Sequence, residues 1–432
     1  VTSTDNRTGS RMLRWAAPDD EAEEEVRDEL AARLRAAGGD GFARVADDWG
    51  DGPGAGPVRG ALVAADRDEA LAALGGTRPG RCAPRHPDPA RPVALLLAGQ
   101  GVQQPGMASG LYGTEPAFTA AMDAYFERHA GDGESLRDEW LAARPGPELD
   151  DITRAQPLLF AVGYAVGRML LDWGVRPDVL LGHSVGEVAA ATLAGVFTLD
   201  EAAEVMAERI DQLGATPPGG MLAVAASAER LAPYVAGPVA VGAVNSPSQV
   251  MLAGPDPELL AAERALRRDG FTVRRARATT AFHSPAVAEA AALAVPTLTR
   301  IGPRAPRIRM VSAYTAAELT ARHAESPRFW ATQPAEPVLF GPALDALLAE
   351  GDHFLVDGGP AQSLAALARR HRAVVGSGST VAAALPAGRR APADDLRTTL
   401  TLAARLWAEG RLGAREAART DHDAHTSFAD VR

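Results

Sequence analysis

The sequence predicts an α/β chain of several units, and three observations carry that prediction. An apolar run, Val179-Leu-Leu, meets Gly182-His183-Ser184-Val185-Gly186 and passes directly into small apolar residues suited to a helix. A second run, Val93-Ala-Leu-Leu-Leu97, is apolar on both sides, as central parallel strands are. Residues 220–279 change rhythm and read as βαββαβ, the order of a split β-α-β unit. The expectation is a parallel-sheet core with a sharp strand-to-helix turn, an inserted unit of about 60 residues, and a small α/β unit in front.

Taken in order, residues 1–18 are polar and unpatterned and read as a disordered N-terminus. Val26, Leu30 and Leu34 then recur on one face of a helix that Gly38-Gly39 stops. A Gly/Asp/Pro-rich loop near 49–57 leads to a short strand, Ala61-Leu-Val-Ala-Ala65, and Asp66-x-x-Glu69 offers a capping box for a helix through Leu74. These elements make residues 19–90 an α/β linker subdomain that closes with a Pro/Arg-rich linker from Thr77 to Arg91.

The core is expected over 91–218 and 280–385. After Leu97 comes Ala98-Gly99-Gln100-Gly101-Val102-Gln103, which alone is equally a phosphate-binding turn or plain punctuation. It lacks both Gly-x-Gly-x-x-Gly and a Gly-Lys-Ser/Thr ending, which disfavours a nucleotide site. Helices are predicted at about 114–130, from Gln156-Pro157 through Leu171, and from Leu199 to Leu213, where Glu201, Glu204 and Glu208 flank a single cation, Arg209. The insertion occupies 219–279, with strands at Met221–Ala225, Val239–Val244, Gln249–Ala253 and Phe271–Arg277 and helices at Ser227–Val235 and Asp256–Asp269. The core resumes with strands at Arg307–Val311 and His353–Val356, the latter ending in Asp357-Gly358-Gly359-Pro360. Residues 386–432 are a C-terminal linker helix, Leu396 to Gly410, and a frayed tail from Ala414.

Composition narrows the function classes. The 432 residues carry 44 Lys plus Arg against 55 Asp plus Glu, a net charge of −11, with 46% hydrophobic residues. This balance reads as a soluble globular protein and argues against nucleic acid as a partner. Cys82 stands alone, excluding an internal disulfide and any cysteine-based metal cluster and fitting a reducing cytoplasm. No stretch reaches the ~18 consecutive apolar residues of a membrane span, and the first residues hold no apolar signal core. Val1 fits a literal translation of a GTG start codon, which is read as a complete, discrete gene product.

Ser184 is the candidate nucleophile. A strand reversing sharply into a helix needs residues without Cβ where the backbones crowd, and it leaves the serine Oγ at the tip. The helix N-terminus that follows, beginning with the Val185 amide, can face an oxyanion. The pattern alone is as common as a Gly-rich turn with an incidental serine, so its context decides. Asp200, Asp211, Asp256 and Asp269 lie between this serine and the motif Thr280-Ala281-Phe282-His283-Ser284-Pro285, where a hydrolase triad would need its acid, but none ends an evident strand.

Five spaced motifs supply that context: Gly99-Gln100-Gly101, Gln156-Pro157, Gly182-His183-Ser184-Val185-Gly186, Asn245-Ser-Pro, and Ala281-Phe282-His283-Ser284-Pro285, with Gly359-Pro360 behind them. In this order they resemble the acyltransferase domains of polyketide synthases and the malonyl-CoA:acyl carrier protein transacylases, over about residues 91–385. The resemblance implies a hydrolase-like core with a nucleophile elbow and a ferredoxin-like insertion, and the flanks resemble the linkers of modular synthases. It implies a Ser184–His283 dyad, ping-pong acyl transfer through an acyl-serine, a histidine oriented by the main-chain carbonyl of Glu336, and an oxyanion hole of the Gln100 and Val185 amides. It places Arg209 on the free carboxylate of a malonyl-type substrate. Without the motif match, Arg209 reads as a surface partner of Glu204 and Glu208.

Phe282 resembles the malonyl-selective form, and Val185 agrees with it. Thr280 departs from that form, which usually has His there, and leaves an unusual extender unit open. Gln156, Phe282, Thr280, His183 and Asn245 complete the implied substrate site, with His183 read as structural or as a pocket wall. His323, His353 and His371 read as ordinary residues. No metal and no tightly bound cofactor are implied. The donor is acyl-CoA, and the acceptor is the phosphopantetheine thiol of an acidic acyl carrier protein docking between core and insertion. Arg267, Arg268, Arg274, Arg275, Arg277, Arg369, Arg370 and Arg372 are candidates for its docking face, set against scattered solvated arginines. A discrete, trans-acting, cytoplasmic enzyme of polyketide biosynthesis is the leading expectation, and a monomer is compatible with it. The alternatives are an acyl-carrier hydrolase of the same fold and a carrier-to-carrier transferase of an aminoacyl or other acyl group.

Overall fold

The computed structural model describes residues 9–38, 41–50, 52, 54–76, 81–85, 91–129, 133–142, 147–388 and 391–413. The expected frayed tail from Ala414 lies outside the described residues, as do residues 1–8.

The chain begins with a three-stranded antiparallel sheet of β1 (Arg11–Ala17), β2 (Val58–Ala64) and β3 (Arg81–Arg85), in that order. This corrects two expectations. Residues 11–17 are not part of a disordered N-terminus: Leu13, Trp15 and Ala17 alternate into the core, and Arg11 pairs with Ala64 through to Ala17 with Val58. Two arginines and a short length hide that alternation in the sequence. The Pro/Arg-rich linker likewise contains a strand, because Pro84 falls on a sheet edge, where a missing donor is tolerated. The helix Asp20–Ala36 packs on this sheet, and Trp15 donates its indole N–H to the buried Glu23 at 2.8 Å.

The core sheet opens with β4 (Val93–Leu97) and β5 (Val179–Gly182), every residue of which is buried. Between them, the buried helix Ile152–Asp172 starts four residues before the expected Gln156-Pro157. Asp151 caps it by accepting from the Thr153 amide at 2.9 Å, so Pro157 sits inside the helix rather than at its first turn. The helices Val185–Leu193 and Leu199–Gly214 follow β5, the second opened by a Thr198/Glu201 capping box.

The insertion then forms its own antiparallel sheet: β6 (Gly219–Val224), β7 (Ala240–Ser246), β8 (Gln249–Pro255) and β9 (Val273–Arg275), in spatial order β7-β8-β6-β9. This is the ferredoxin-like arrangement, with the last strand reduced to three residues. One face, with Leu222, Val224, Val250 and Leu252, packs on Leu259 and Leu266 of the helix Asp256–Arg268. The alternate residues Met221, Ala223 and Met251 face a cleft.

The chain returns through β10 (Met310–Ser312), β11 (Ala317–Glu318), β12 (Phe354–Asp357) and β13 (Thr380–Ala383). The finished core sheet runs β11-β10-β5-β4-β12-β13, parallel except for β11. Such a sheet delivers its ligand groups from the loops at the strand C-termini. The edge strands β11 and β13 were not expected.

The helix Pro392–Ala408 joins the front sheet to the core. Trp407 donates to the Trp15 carbonyl at 3.0 Å beneath the Arg14 and Arg59 guanidinium groups, while Thr399 donates to the Ala384 carbonyl at 2.8 Å. Among the described residues, no helix is long and apolar enough to cross a membrane.

Candidate active site

Strand β5 ends in a turn that admits only glycine at two positions. Ser184 has φ 55° and ψ −122°, a strained conformation for a residue with a side chain. A Cβ on Gly182 would lie 2.2 Å from the Glu187 backbone, and one on Gly186 would lie 2.1 Å from the Leu97 carbonyl oxygen. Both glycines are therefore required by close approach. Bonds from the His183 amide to Leu97 O and from the Gly186 amide to His183 O lock the turn against β4.

The Ser184 hydroxyl meets His283 Nε2 at 2.8 Å, across 99 residues of sequence. The other ring nitrogen, Nδ1, lies 2.9 Å from the Glu336 carbonyl oxygen. A carbonyl only accepts, so Nδ1 carries the hydrogen and Nε2 is free to take the proton of Ser184. His283 is itself at positive φ, 61°, held by its amide donating to the Pro334 carbonyl. Burial, then the Arg209 charge, pushes its pKa down to about 3; the Glu336 carbonyl opposes them and favours the imidazolium. Among the described residues, no aspartate bonds to His283. Asp200 pairs with Arg128, Asp256 with Arg275, and Asp269 accepts from Tyr234.

The dyad lies on the wall of a cleft of about 800 Å³ between core and insertion. Gln100 and Gln156 line it from the core and are joined by the Gln156 amide donating to Gln100 Oε1 at 3.2 Å. Gln103, unremarked in the sequence, fixes the glycine turn by accepting from the Gly101 amide at 2.7 Å and donating to Asp150 at 2.7 Å. Val185 opens its helix, so its amide has no intrahelical acceptor. His183 also lines the cleft, its Nε2 2.8 Å from Asn245 Oδ1, which ties the elbow to β7 of the insertion. Phe282 closes the same wall and packs with Met221 and Ile152. A smaller cavity of about 390 Å³, beside β1 and Trp173, shares no residue with this cleft.

Two expected substrate residues lie elsewhere than on the cleft wall. Thr280 is buried but does not line the cleft, because the chain turns there so that Phe282 and His283 face inward instead. Arg209 is only 5% exposed and lies behind the dyad, near Tyr314 and Glu187. Its guanidinium is not a surface partner of the neighbouring acids, since Glu204 pairs with Arg300 and Glu208 accepts from Gln212.

Sequence reading passed over Glu187, although it directly follows the elbow glycine. It is fully buried and accepts from Ser312 at 2.6 Å, the Ala313 amide at 2.9 Å and Gln333 at 3.4 Å, coupling the helix after Ser184 to the end of β10. Burial pushes its carboxyl up to about 8 against those donors.

The family model for the acyl transferase domain matches residues 95–410. The chain belongs to the acyl transferase domain family. The acyl transferase domain of SpnD, solved in complex with 2-(pent-4-yn-1-yl)malonyl, is 31% identical with a TM-score of 0.80, over 93% of this chain and 96% of that one. A phenolphthiocerol/phthiocerol polyketide synthase protein of Mycobacterium tuberculosis is 36% identical over 280 residues, 65% of this chain and 19% of that protein. The spectinabilin polyketide synthase system protein NorB of Streptomyces orinoci is 32% identical over 367 residues, 82% of this chain and 17% of that protein. The chain thus spans about a fifth of the length of these curated relatives. Both the resemblance to polyketide synthase acyltransferases and the α/β fold class hold.

Proposed function

We propose that this acyl transferase domain moves a malonyl-type acyl group from CoA to the phosphopantetheine thiol of an acyl carrier protein in polyketide assembly. The observation that carries this reading is the relay from Ser184 through His283 to the Glu336 carbonyl, opening on a cleft of about 800 Å³. In the first half-reaction, Ser184 Oγ attacks the thioester carbonyl as His283 Nε2 takes its proton. The Gln100 and Val185 amides receive the oxyanion. The C–S bond then breaks, and the imidazolium returns the proton to the departing thiolate, leaving acyl-Ser184 and free CoA.

The second half-reaction reverses these steps with the carrier's thiol as nucleophile, so ping-pong kinetics follow. Three features support the substrate class. Arg209 places a cation behind the dyad, Phe282 narrows the cleft, and the SpnD relative is solved with a substituted malonyl group. Arg274, Arg277 and Arg370 line the cleft and are exposed, which suits the phosphates of CoA and the acidic face of a carrier protein.

Intact-protein mass spectrometry after mixing with a panel of acyl-CoAs tests the reading. A malonyl adduct that is absent in Ser184→Ala and passes to holo-carrier protein is the expected result. A wild-type chain that no acyl-CoA labels, or an adduct that survives in Ser184→Ala, overturns it.

A further inference from the structure

Behind the dyad, three hydrogen-bond donors are buried without an acceptor among the described residues. They are Arg209 Nε, Arg209 Nη2 and the Tyr314 hydroxyl: none completes a well-formed hydrogen bond, although the Tyr314 hydroxyl faces both the Arg209 guanidinium and Ser184. Buried donors left unpaired are costly, and a cluster of them beside a reactive group marks a place built for a ligand acceptor. Glu187 is the carboxyl group beside them, but burial favours its neutral form, and its oxygens already accept from Ser312, Ala313 and Gln333.

Tyr314 is held in this position by its surroundings. It follows β10, where Val311 is in register with Leu181 of β5, three residues before Ser184. Its amide donates to Ser312 Oγ at 3.1 Å. Its ring lies 6.2 Å from the His283 ring and meets Phe329 edge-on at 6.4 Å. Burial pushes the phenol well above its ordinary range, so the hydroxyl stays protonated and remains a donor.

A planar anion with two oxygens satisfies these donors, whereas a neutral acyl chain leaves all three unpaired. A phosphate fits less well, since the Arg209 and Tyr314 donors are buried off the open cleft wall, whereas Arg274, Arg277 and Arg370 line it and are exposed. We propose that Tyr314 is a specificity-determining residue whose hydroxyl donates to the free carboxylate of the acyl group, sharing that carboxylate with the Arg209 guanidinium. The inference rests on the acyl transfer proposed above and adds a second carboxylate donor to it.

The test compares wild type, Tyr314→Phe, Arg209→Ala and the double variant, measuring kcat/KM for acylation of Ser184 by malonyl-CoA and by acetyl-CoA. Tyr314→Phe keeps the ring and removes only the hydroxyl. The malonyl-to-acetyl ratio is expected to fall about tenfold in Tyr314→Phe, the size of one hydrogen bond to a charged group. The double variant is expected to lose little more than Arg209→Ala, because the two residues share one ligand. An unchanged ratio, or equal losses with both thioesters, overturns the proposal. Wild type that takes acetyl but no malonyl overturns the carboxylate site while leaving acyl transfer standing. Wild type that takes neither overturns the proposed function and this inference with it.

Discussion

On the core wall of the cleft the groups proposed to face a substrate are placed by backbone; on the insertion wall the lining is placed by side chains. Ser184 and His283 both stand at positive φ, and Gly182 and Gly186 lie where a single methyl group collides with main-chain atoms. Opposite them, Met221, Ala223 and Met251 are alternate residues of an ordinary antiparallel sheet, with Arg274 and Arg277 exposed beside them. The first wall has no slack, because close-packed backbone cannot absorb a methyl group. The second can exchange side chains without moving its strands. A protein built this way can hold its chemistry constant while its selectivity varies.

Gly186→Ala gives the sharpest test of that contrast. Its Cβ would fall 2.1 Å from the Leu97 carbonyl oxygen, so the elbow must move away from β4. Displacing the nucleophile and the Val185 amide together should slow acylation of Ser184 by about 10²–10³-fold. Met251→Ala, across the cleft, should slow it far less. Acylation rates by mass spectrometry decide, and equal effects from the two variants would remove the distinction between the walls.

The difference also explains which parts were legible in the sequence. The elbow could be read because its demands are local: two glycines, one serine and an apolar strand lie within a few residues of each other. The His283 motif and the βαββαβ rhythm were local signals too. β1 escaped because Leu13 and Trp15 alternate for only seven residues among arginines, and β3 because its proline suggested a linker. Thr280 and Tyr314 were invisible for another reason. Which way a side chain faces past a strand end depends on where the strand stops: β9 ends at Arg275, two residues before the expected boundary, and β10 ends at Ser312, one residue beyond it. The burial of Arg209 is likewise tertiary, since its helix shows the sequence only a cation among acids.

The buried relay predicts an unusual pH response. With its pKa pushed down to about 3, His283 is neutral in the folded enzyme throughout ordinary assay conditions. Acylation should therefore stay level from pH 8 to about pH 5, without the inflection near 6.5 of an ordinary imidazole. Stability should show the opposite sensitivity. Above about 6.5 neither state binds the proton. Between there and the folded value only the unfolded chain does, so the contribution of His283 is lost as the pH falls. Denaturant midpoints at pH 7.5 and 5 for wild type and His283→Gln measure this. Wild type should lose more on acidification, and parallel losses would place the sensitivity elsewhere.

The smallest expected effect belongs to the insertion wall. Arg274 and Arg277 are exposed, and neither has an ion pair among the described residues, whereas Arg275 is tied to Asp256. Exposed charges act mainly on encounter and are screened within about a Debye length, roughly 10 Å at 0.1 M salt. Reversing Arg274 and Arg277 to Glu should raise KM for acyl-CoA and for the carrier several-fold at low ionic strength, with kcat nearly constant. The effect should shrink as salt rises, while that of Gly186→Ala should not. A kcat that falls with the reversal and ignores salt would mean that the insertion helps to align the reacting groups, and the two walls would then form one catalytic surface.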